Sequence, residues 1–153
     1  METYVLNLEN ILNEWSKDSE IDEHHLDRSS IQIAKLHSKY LQYLSIAKLQ
    51  LKKTELNQKI LLKDKWLYYT NKMSQEEMDE RGWDYDPYNG VKVMKGDMNH
   101  IYDSDIDIQA SEEKITYYKT LVETLTEIVS NINWKHQTIS NIIKWKQFEA
   151  GGF

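Results

Sequence analysis

Apolar side chains recur every three or four residues along two long stretches of the chain, the spacing that places them on one side of an α-helix. In the first stretch the series extends from Leu26 to Tyr69, and neither glycine nor proline occurs between Asp22 and Gly82. Aspartate commonly precedes the first turn of a helix. The pattern predicts one long helix over residues 22–74, preceded by a short amphipathic helix within residues 1–20.

The C-terminal stretch has the most regular pattern. Its steps alternate between three and four residues, which is a heptad series, at Ile115, Tyr118, Val122, Leu125, Val129, Ile132, His136, Ile139 and Ile143. A second apolar stripe lies beside it at Tyr117, Leu121, Ile128, Lys135 and Ile142. Ser111 is a suitable N-cap, so we predict a helix over residues 111–149. One stripe can pack on the long helix and leave the other for a second subunit; we assign oligomerisation to Val122, Leu125, Val129, Ile132, Ile139 and Ile143.

The segment between the two long helices has a different composition. It contains the only proline, and VKVM at 91–94 and IYDSDIDI at 101–108 have the alternation of short strands or extended segments. We predict a loop or small β insertion over residues 75–110. The predicted fold is a single mainly α domain over residues 1–153, in which the two long helices form a hairpin.

The first long helix carries more apolar surface than a hairpin can bury. At about 100° per residue, one apolar side contains Leu49, Leu56, Ile60 and Leu67, and another contains Leu44, Leu51, Leu62 and Tyr69. Lysines lie between these two sides. Since burial of a leucine-sized side chain stabilises a protein by roughly 1.5–3 kcal/mol, we expect a ring-like homo-oligomer that repeats the lysine surface around its axis.

Charge is distributed unevenly along a chain whose formal net charge is −6. Residues 48–72 contain seven lysines against Glu55 and Asp64, whereas residues 73–113 contain twelve acidic residues. A net negative charge therefore does not exclude a polyanionic partner. There is no cysteine, and no long apolar run or basic leader pattern is present, so we expect no disulfide, membrane span or signal peptide.

The basic region also concentrates aromatic side chains, in LLKDKWLYYTNK at residues 61–72. Single-stranded nucleic acid is bound by cations that follow its backbone and by rings on which its bases stack. The candidate contacts for single-stranded DNA are Lys63, Lys65, Lys59, Trp66, Tyr68, Tyr69, Lys52 and Lys72. The alternative interpretation is structural, because helix lysines commonly form a solvated face and aromatic residues at helical spacing commonly form a core.

Candidate catalytic and metal residues are few. His24 and His25 are adjacent and point to different sides of a helix, and DSDID at 103–107 lacks the glycine and distal glutamate of a calcium loop. No glycine-rich phosphate loop occurs in the sequence. We therefore expect no metal, no cofactor and no enzymatic activity.

The run HSKYLQYLSIAKLQLKKTELNQKILLKDKWLYY, residues 37–69, resembles without gaps the central segment of the UvsY family of recombination mediators of T-even-like phages. The tail WKQFEAGGF resembles the C-terminal end of that family. The family's motif of two basic residues at i and i+2, followed by paired tyrosines, matches Lys63, Lys65, Tyr68 and Tyr69. The resemblance implies that the two cations help to hold single-stranded DNA; an arginine can stand at the position of Lys65 in the family.

The resemblance also implies an assembly and partners. Family members form rings of six or seven subunits through the C-terminal helix and wrap single-stranded DNA. They help a RecA-like phage recombinase to displace the phage single-strand-binding protein, in the cytoplasm of the infected host cell. The acidic residues 73–113 then form either a solvated loop or a surface for these partner proteins.

The main alternative is a purely structural coiled-coil phage oligomer, a scaffold or adaptor that does not bind nucleic acid. It would have the same heptads and the same apolar faces, with lysines that only maintain solubility. Burial of Lys63 and Lys65 in ion pairs with acidic neighbours would count against their contact with DNA.

Overall fold

The computed structural model describes residues 6–88 and 90–151, and the described residues contain five helices and no β-strand. These helices are α1 (Leu8–Asp18), α2 (Leu26–Tyr69), α3 (Gln75–Arg81), α4 (Met98–Ser104) and α5 (Ile106–Glu149). None of them combines the length and apolarity that a membrane span requires. The prediction of a mainly α chain with a short helix and two long helices is confirmed; the first five residues of the predicted N-terminal helix lie outside the described part.

Of the predicted loop or small β insertion over residues 75–110, the β alternative is not confirmed, because the described residues contain no strand. VKVM at 91–94 is irregular, and most of IYDSDIDI at 101–108 is helical, in α4 and the first turn of α5. The reason is the side chain of Asp105, whose Oδ1 accepts hydrogen bonds from the backbone N–H groups of Asp107 (2.9 Å) and Ile108 (3.0 Å). Asp105 thus caps α5, and the helix begins at Ile106, five residues before the predicted start at Ser111, which lies inside the helix.

The ends of α2 are also set by specific residues. Asp22 does not cap the helix directly; it forms a turn in which its carboxylate accepts from the backbone N–H of His24 at 2.9 Å. At the other end Asn71 has a φ of 58°, a left-handed conformation that asparagine tolerates. The N–H of Lys72 donates to the carbonyl of Leu67 at 2.8 Å, and the N–H of Asn71 to that of Tyr68 at 3.3 Å. This Schellman motif ends α2 at Tyr69 rather than near residue 74.

The chain divides into two compact units, residues 1–49 with 118–153, and residues 50–117. In the first unit, α1, the N-terminal part of α2 and the C-terminal part of α5 share one core. Tyr40 is fully buried in this core, and its hydroxyl donates to Asp18 Oδ2 at 2.8 Å. In the second unit, a smaller cluster contains Tyr68, Met73 and Met78.

The core of the first unit uses both heptad stripes of α5. Leu125, Ile132 and Ile139 from one stripe are buried, and so are Leu121 and Ile128 from the other. The structure therefore corrects the expectation that one stripe is left for a second subunit. Leu125, Ile132 and Ile139 pack inside the protomer, and of the six assigned residues Ile143 is the exposed one. The role of these six residues in oligomerisation stays a prediction.

Lys135 is a charged side chain inside this apolar stripe. It is buried, and its Nζ donates to the backbone carbonyl of Asp18 at the end of α1, at 2.8 Å. Burial lowers the pKa of Lys135, although the nearby Asp18 carboxylate opposes this effect. The ammonium thus connects α5 to α1 within the first unit.

The burial of Ile132 predicts a large stability effect. Ile132 is 0 % exposed and Ile31, on α2, is 69 % exposed. We expect Ile132→Ala to lower the free energy of unfolding by about 2–5 kcal/mol, because it leaves a cavity. Ile31→Ala should lower it by under about 0.5 kcal/mol. Urea denaturation followed by circular dichroism measures both, and equal effects would contradict the assignment of this stripe to the protomer core.

Candidate nucleic-acid interface

Lys63 and Lys65 lie on opposite sides of α2. Two residues on a helix that are two positions apart are separated by about 200° around its axis, so they do not face the same surface. Lys63 is exposed, and Lys65 is only 4 % exposed. The predicted pair of DNA-binding cations is therefore divided between solvent and the interior.

Lys63 belongs to an exposed surface of the second unit. Residues at its helical spacing form what we call the outer face of α2: Lys52, Leu56, Lys59, Ile60, Lys63 and Trp66, all of which are exposed. Within the described residues, the three lysines of this face form no ion pair. The outer face therefore combines available cations with apolar and aromatic surface.

Trp66 and Lys72 are close together at the C-terminal end of this face. The Lys72 ammonium lies 4.2 Å from the centroid of the indole ring, which is a cation–π contact. Both side chains are exposed. Lys72 lies beyond the end of α2, so the Schellman turn at Asn71 positions it beside Trp66.

Lys65 lies in an ionic cluster, which we call the Lys65 cluster: Lys65, Tyr69, Asp105 and Asp107. Within it, Lys65 and Asp105 are buried. Its Nζ is 3.0 Å from Asp105 Oδ2 and 2.8 Å from Asp107 Oδ2. The ring of Trp83 lies against the same ammonium, with its centroid at 4.0 Å. The prediction that Lys65 contacts DNA is therefore at odds with this structure, since the Lys65 ammonium already forms ion pairs with two carboxylates.

The paired tyrosines also point inward. The Tyr68 hydroxyl donates to the carbonyl of Asp84 at 2.6 Å, and its ring lies 5.0 Å from that of Trp83. Tyr69 donates to Asp105 Oδ2 at 2.5 Å. Because Tyr68 is buried and Tyr69 is half-buried, these rings hold the segment around residue 83 and the start of α5. They are not open surfaces for base stacking.

The pKa values of Asp105 and Tyr69 indicate the charge state of these two side chains in the Lys65 cluster. Burial raises the pKa of the Asp105 carboxyl, but hydrogen bonds from Tyr69, the Ile108 backbone and Lys65 together lower it by more. The pKa of Asp105 therefore lies below the ordinary value of 3.8. Burial and the Asp105 carboxylate raise the pKa of Tyr69. Asp105 is therefore an anion at neutral pH and Tyr69 is a neutral donor.

Asp64, the acid between the two lysines, is neutralised separately. Its Oδ2 accepts from Arg81 Nη1 at 2.7 Å. This contact connects α2 to the end of α3 and removes one negative charge that would oppose a phosphate near Lys63. Within the described residues, no group of three or more histidine or acidic side chains could hold a metal ion.

The sequence pattern did not indicate which side chains contact Lys65. Trp83, Asp105 and Asp107 are 18 to 42 positions away in the sequence, and no local pattern connects them to a lysine. One signal was available: residues 65, 68 and 69 have the i, i+3, i+4 spacing of one helix face, and residue 63 does not share it. That spacing separates Lys65 and the tyrosines from Lys63.

The outer face of α2 combines cations with an exposed ring, the two elements by which proteins bind single-stranded nucleic acid. Comparison with known families is consistent with this class, because residues 14–152 match the family described as recombination, repair and ssDNA binding protein UvsY. The chain belongs to the UvsY family. The resemblance seen in residues 37–69 is thus confirmed.

Individual relatives agree with this assignment. The chain is 25 % identical over 146 residues to the recombination protein uvsY of Enterobacteria phage T4, and the match covers 95 % of this chain and 99 % of the relative. Two crystal structures of the bacteriophage T4 recombination mediator protein UvsY have the same fold. Lattice type II has a TM-score of 0.80 at 23 % identity, covering 95 % of this chain and 99 % of that one. Lattice type I has a TM-score of 0.76 at 22 % identity, covering 92 % and 98 %.

The Lys65 cluster predicts a defined acid dependence of stability. We expect Asp105→Asn to lower the free energy of unfolding at pH 7 by on the order of 3 kcal/mol, because it removes one partner of a buried ion pair. The lowered pKa of Asp105 contributes stability that is present above pH 3.8, the unfolded value, and is lost as the pH falls through the folded value. The difference in the free energy of unfolding between wild type and Asp105→Asn should therefore become smaller below pH 3.8.

Urea titrations at pH 7 and pH 3 measure this difference. Asp97→Asn is the matched control, because Asp97 is exposed and its side chain forms no cap hydrogen bond. Its effect should be small at both pH values. If Asp105→Asn lowers the free energy of unfolding by the same amount at pH 3 and at pH 7, the charge of the carboxylate contributes no stability.

Proposed function

We propose that this protein is a recombination mediator that binds single-stranded DNA through the outer face of α2 and Lys72. The observation that carries the proposal is the exposure of Lys52, Lys59, Lys63 and Trp66 on one helix face whose lysines form no ion pair in the described residues. Cations that follow the phosphates and a ring that stacks on bases are the two elements that single-strand binding requires.

Trp66 and Lys72 form the stacking end of this interface. A base that stacks on Trp66 places its phosphate near the Lys72 ammonium, which lies 4.2 Å from the ring centroid. Lys59 and Lys63 are one turn apart and contact the following phosphates. A duplex keeps its bases stacked inside, so the tryptophan favours single strands.

The mediator activity follows from differential binding. The protein holds DNA in a path that a RecA-like phage recombinase prefers over the phage single-strand-binding protein, and thereby shifts the population towards the recombinase complex. The T4 relative is described as a recombination mediator, which supports this role. It requires binding rather than catalysis, and its place is the cytoplasm of the infected host cell.

The active form is a homo-oligomeric ring of six or seven subunits. Exposed apolar side chains away from the outer face of α2 support association, since Ile143, one of the residues assigned to oligomerisation, is exposed. Trp145 and Phe148 near the end of α5 are also exposed, with their rings stacked at 5.7 Å. A ring would repeat Lys59 and Lys63 around its axis and multiply their attraction for a polyanion.

Lys63→Ala tests the cationic part of the interface. Because a phosphate contact on single-stranded DNA releases counterions, the variant should bind a labelled oligothymidylate more weakly, and its logarithmic salt slope should be shallower by about 0.7. Fluorescence anisotropy across a salt series measures both quantities. Lys17→Ala, which removes an exposed lysine of α1, is the control and should leave the slope unchanged.

The same titration separates this function from the structural alternative. If wild type binds single strands weakly, with a shallow salt response and no preference over duplex, the scaffold hypothesis is favoured. A mass measurement of Lys63→Ala by light scattering should match that of wild type, which excludes a loss of assembly as the cause of weaker binding.

Trp66→Leu tests the stacking part. We expect the free energy of binding to single-stranded DNA to become less favourable by about 1–3 kcal/mol, the range found for base–aromatic stacking. The logarithmic salt slope should stay unchanged. Trp134→Leu is the matched control, because Trp134 is an exposed tryptophan on α5. Equal losses for the two variants would place the stacking surface elsewhere.

A further inference from the structure

We infer that Asp107 is an internal competitor of the DNA backbone: its carboxylate occupies the Lys65 ammonium where a phosphate would bind, and so limits the affinity of the protein for single-stranded DNA. This inference rests on the proposed function, because it concerns the regulation of the same interface. Its basis is the difference between the two carboxylates that contact Lys65.

Asp105 is a fixed member of the Lys65 cluster. Its Oδ1 accepts from two backbone N–H groups at the start of α5, and its Oδ2 accepts from Tyr69 and contacts Lys65. Its side chain is 3 % exposed. Removing this carboxylate from Lys65 would also break the cap of α5, so Asp105 cannot exchange with a ligand.

The carboxylate of Asp107 is held by its contact with Lys65. Its side chain is 53 % exposed, and in the described residues its carboxylate forms a single ion pair, 2.8 Å from Lys65 Nζ. A carboxylate in this position offers an ammonium the same anionic oxygen that a phosphate would offer. Asp107 is therefore the outer carboxylate, which can be displaced without loss of the α5 cap.

The charge balance explains why this contact opposes DNA. The Lys65 cluster contains one ammonium and two carboxylates, so it repels a phosphate as long as both carboxylates remain on Lys65. When the outer carboxylate is neutralised, Lys65 keeps Asp105 as its buried partner and loses its second anionic partner. The ion pair with Asp107 thus prevents Lys65, one of the two cations of the motif, from binding a phosphate.

Asp107→Asn tests the inference, with Asp103→Asn as a matched control. Both changes remove one negative charge from an exposed aspartate, and the two positions are four residues apart, but the Asp103 side chain forms no ion pair in the described residues. We expect Asp107→Asn to bind a labelled oligothymidylate about tenfold more tightly than Asp103→Asn, the factor expected for one additional charge-assisted hydrogen bond. Its logarithmic salt slope should be steeper by about 0.7.

A double-mutant cycle assigns the gain to Lys65. Lys65→Met should change wild-type binding little, because Asp107 already blocks the cation, and should abolish the gain in the Asp107→Asn background. If Asp107→Asn and Asp103→Asn bind equally, the inference is wrong whether or not Lys65→Met folds. Failure of wild type itself to bind single strands would contradict the proposed function instead, so the two failures are distinguishable.

Discussion

The organisation of the second unit depends on the angular step of the α-helix. At about 100° per residue, a motif with basic residues at i and i+2 cannot place both on one face of the helix. Lys63 therefore faces solvent with Lys59 and Trp66, while Lys65 faces the protein with Tyr68 and Tyr69. One short segment thus supplies two different surfaces, an exposed cationic one and a buried ionic one that holds α5.

Much of the fold could be predicted from the sequence, because the periodicity of α2 and α5 is long and regular. The helix ends could not be predicted, since they depend on the conformation of Asn71 and on the cap formed by Asp105. For the candidate site, the concentration of lysines and aromatic rings in residues 61–72 indicated Lys63 and Trp66, and their contact with DNA stays a prediction. The burial of Lys65 was missed because its partners Asp105 and Asp107 come from a distant segment whose alternating pattern was interpreted as strand.

The acidic segment between the long helices combines solvated charge with internal counter-charge. Arg81 and Asp64, and Lys65 with the two carboxylates of its cluster, connect this segment to α2. Several of its other acids, such as Glu76 and Asp103, are exposed. The net charge of −6 therefore reflects an acidic surface and says little about the outer face of α2. Local pairing, rather than the total, decides which cations remain for a polyanion.

The buried Lys135 has a consequence for how the helices of the first unit align. A leucine at this position would allow neighbouring registers of α5 against α1, because successive turns of an apolar stripe present similar side chains. In the observed register the ammonium donates to the Asp18 carbonyl at 2.8 Å. Sliding α5 by a single turn, about 5.4 Å, would strand a positive charge in hydrocarbon, so alternative alignments of α5 against α1 are strongly disfavoured.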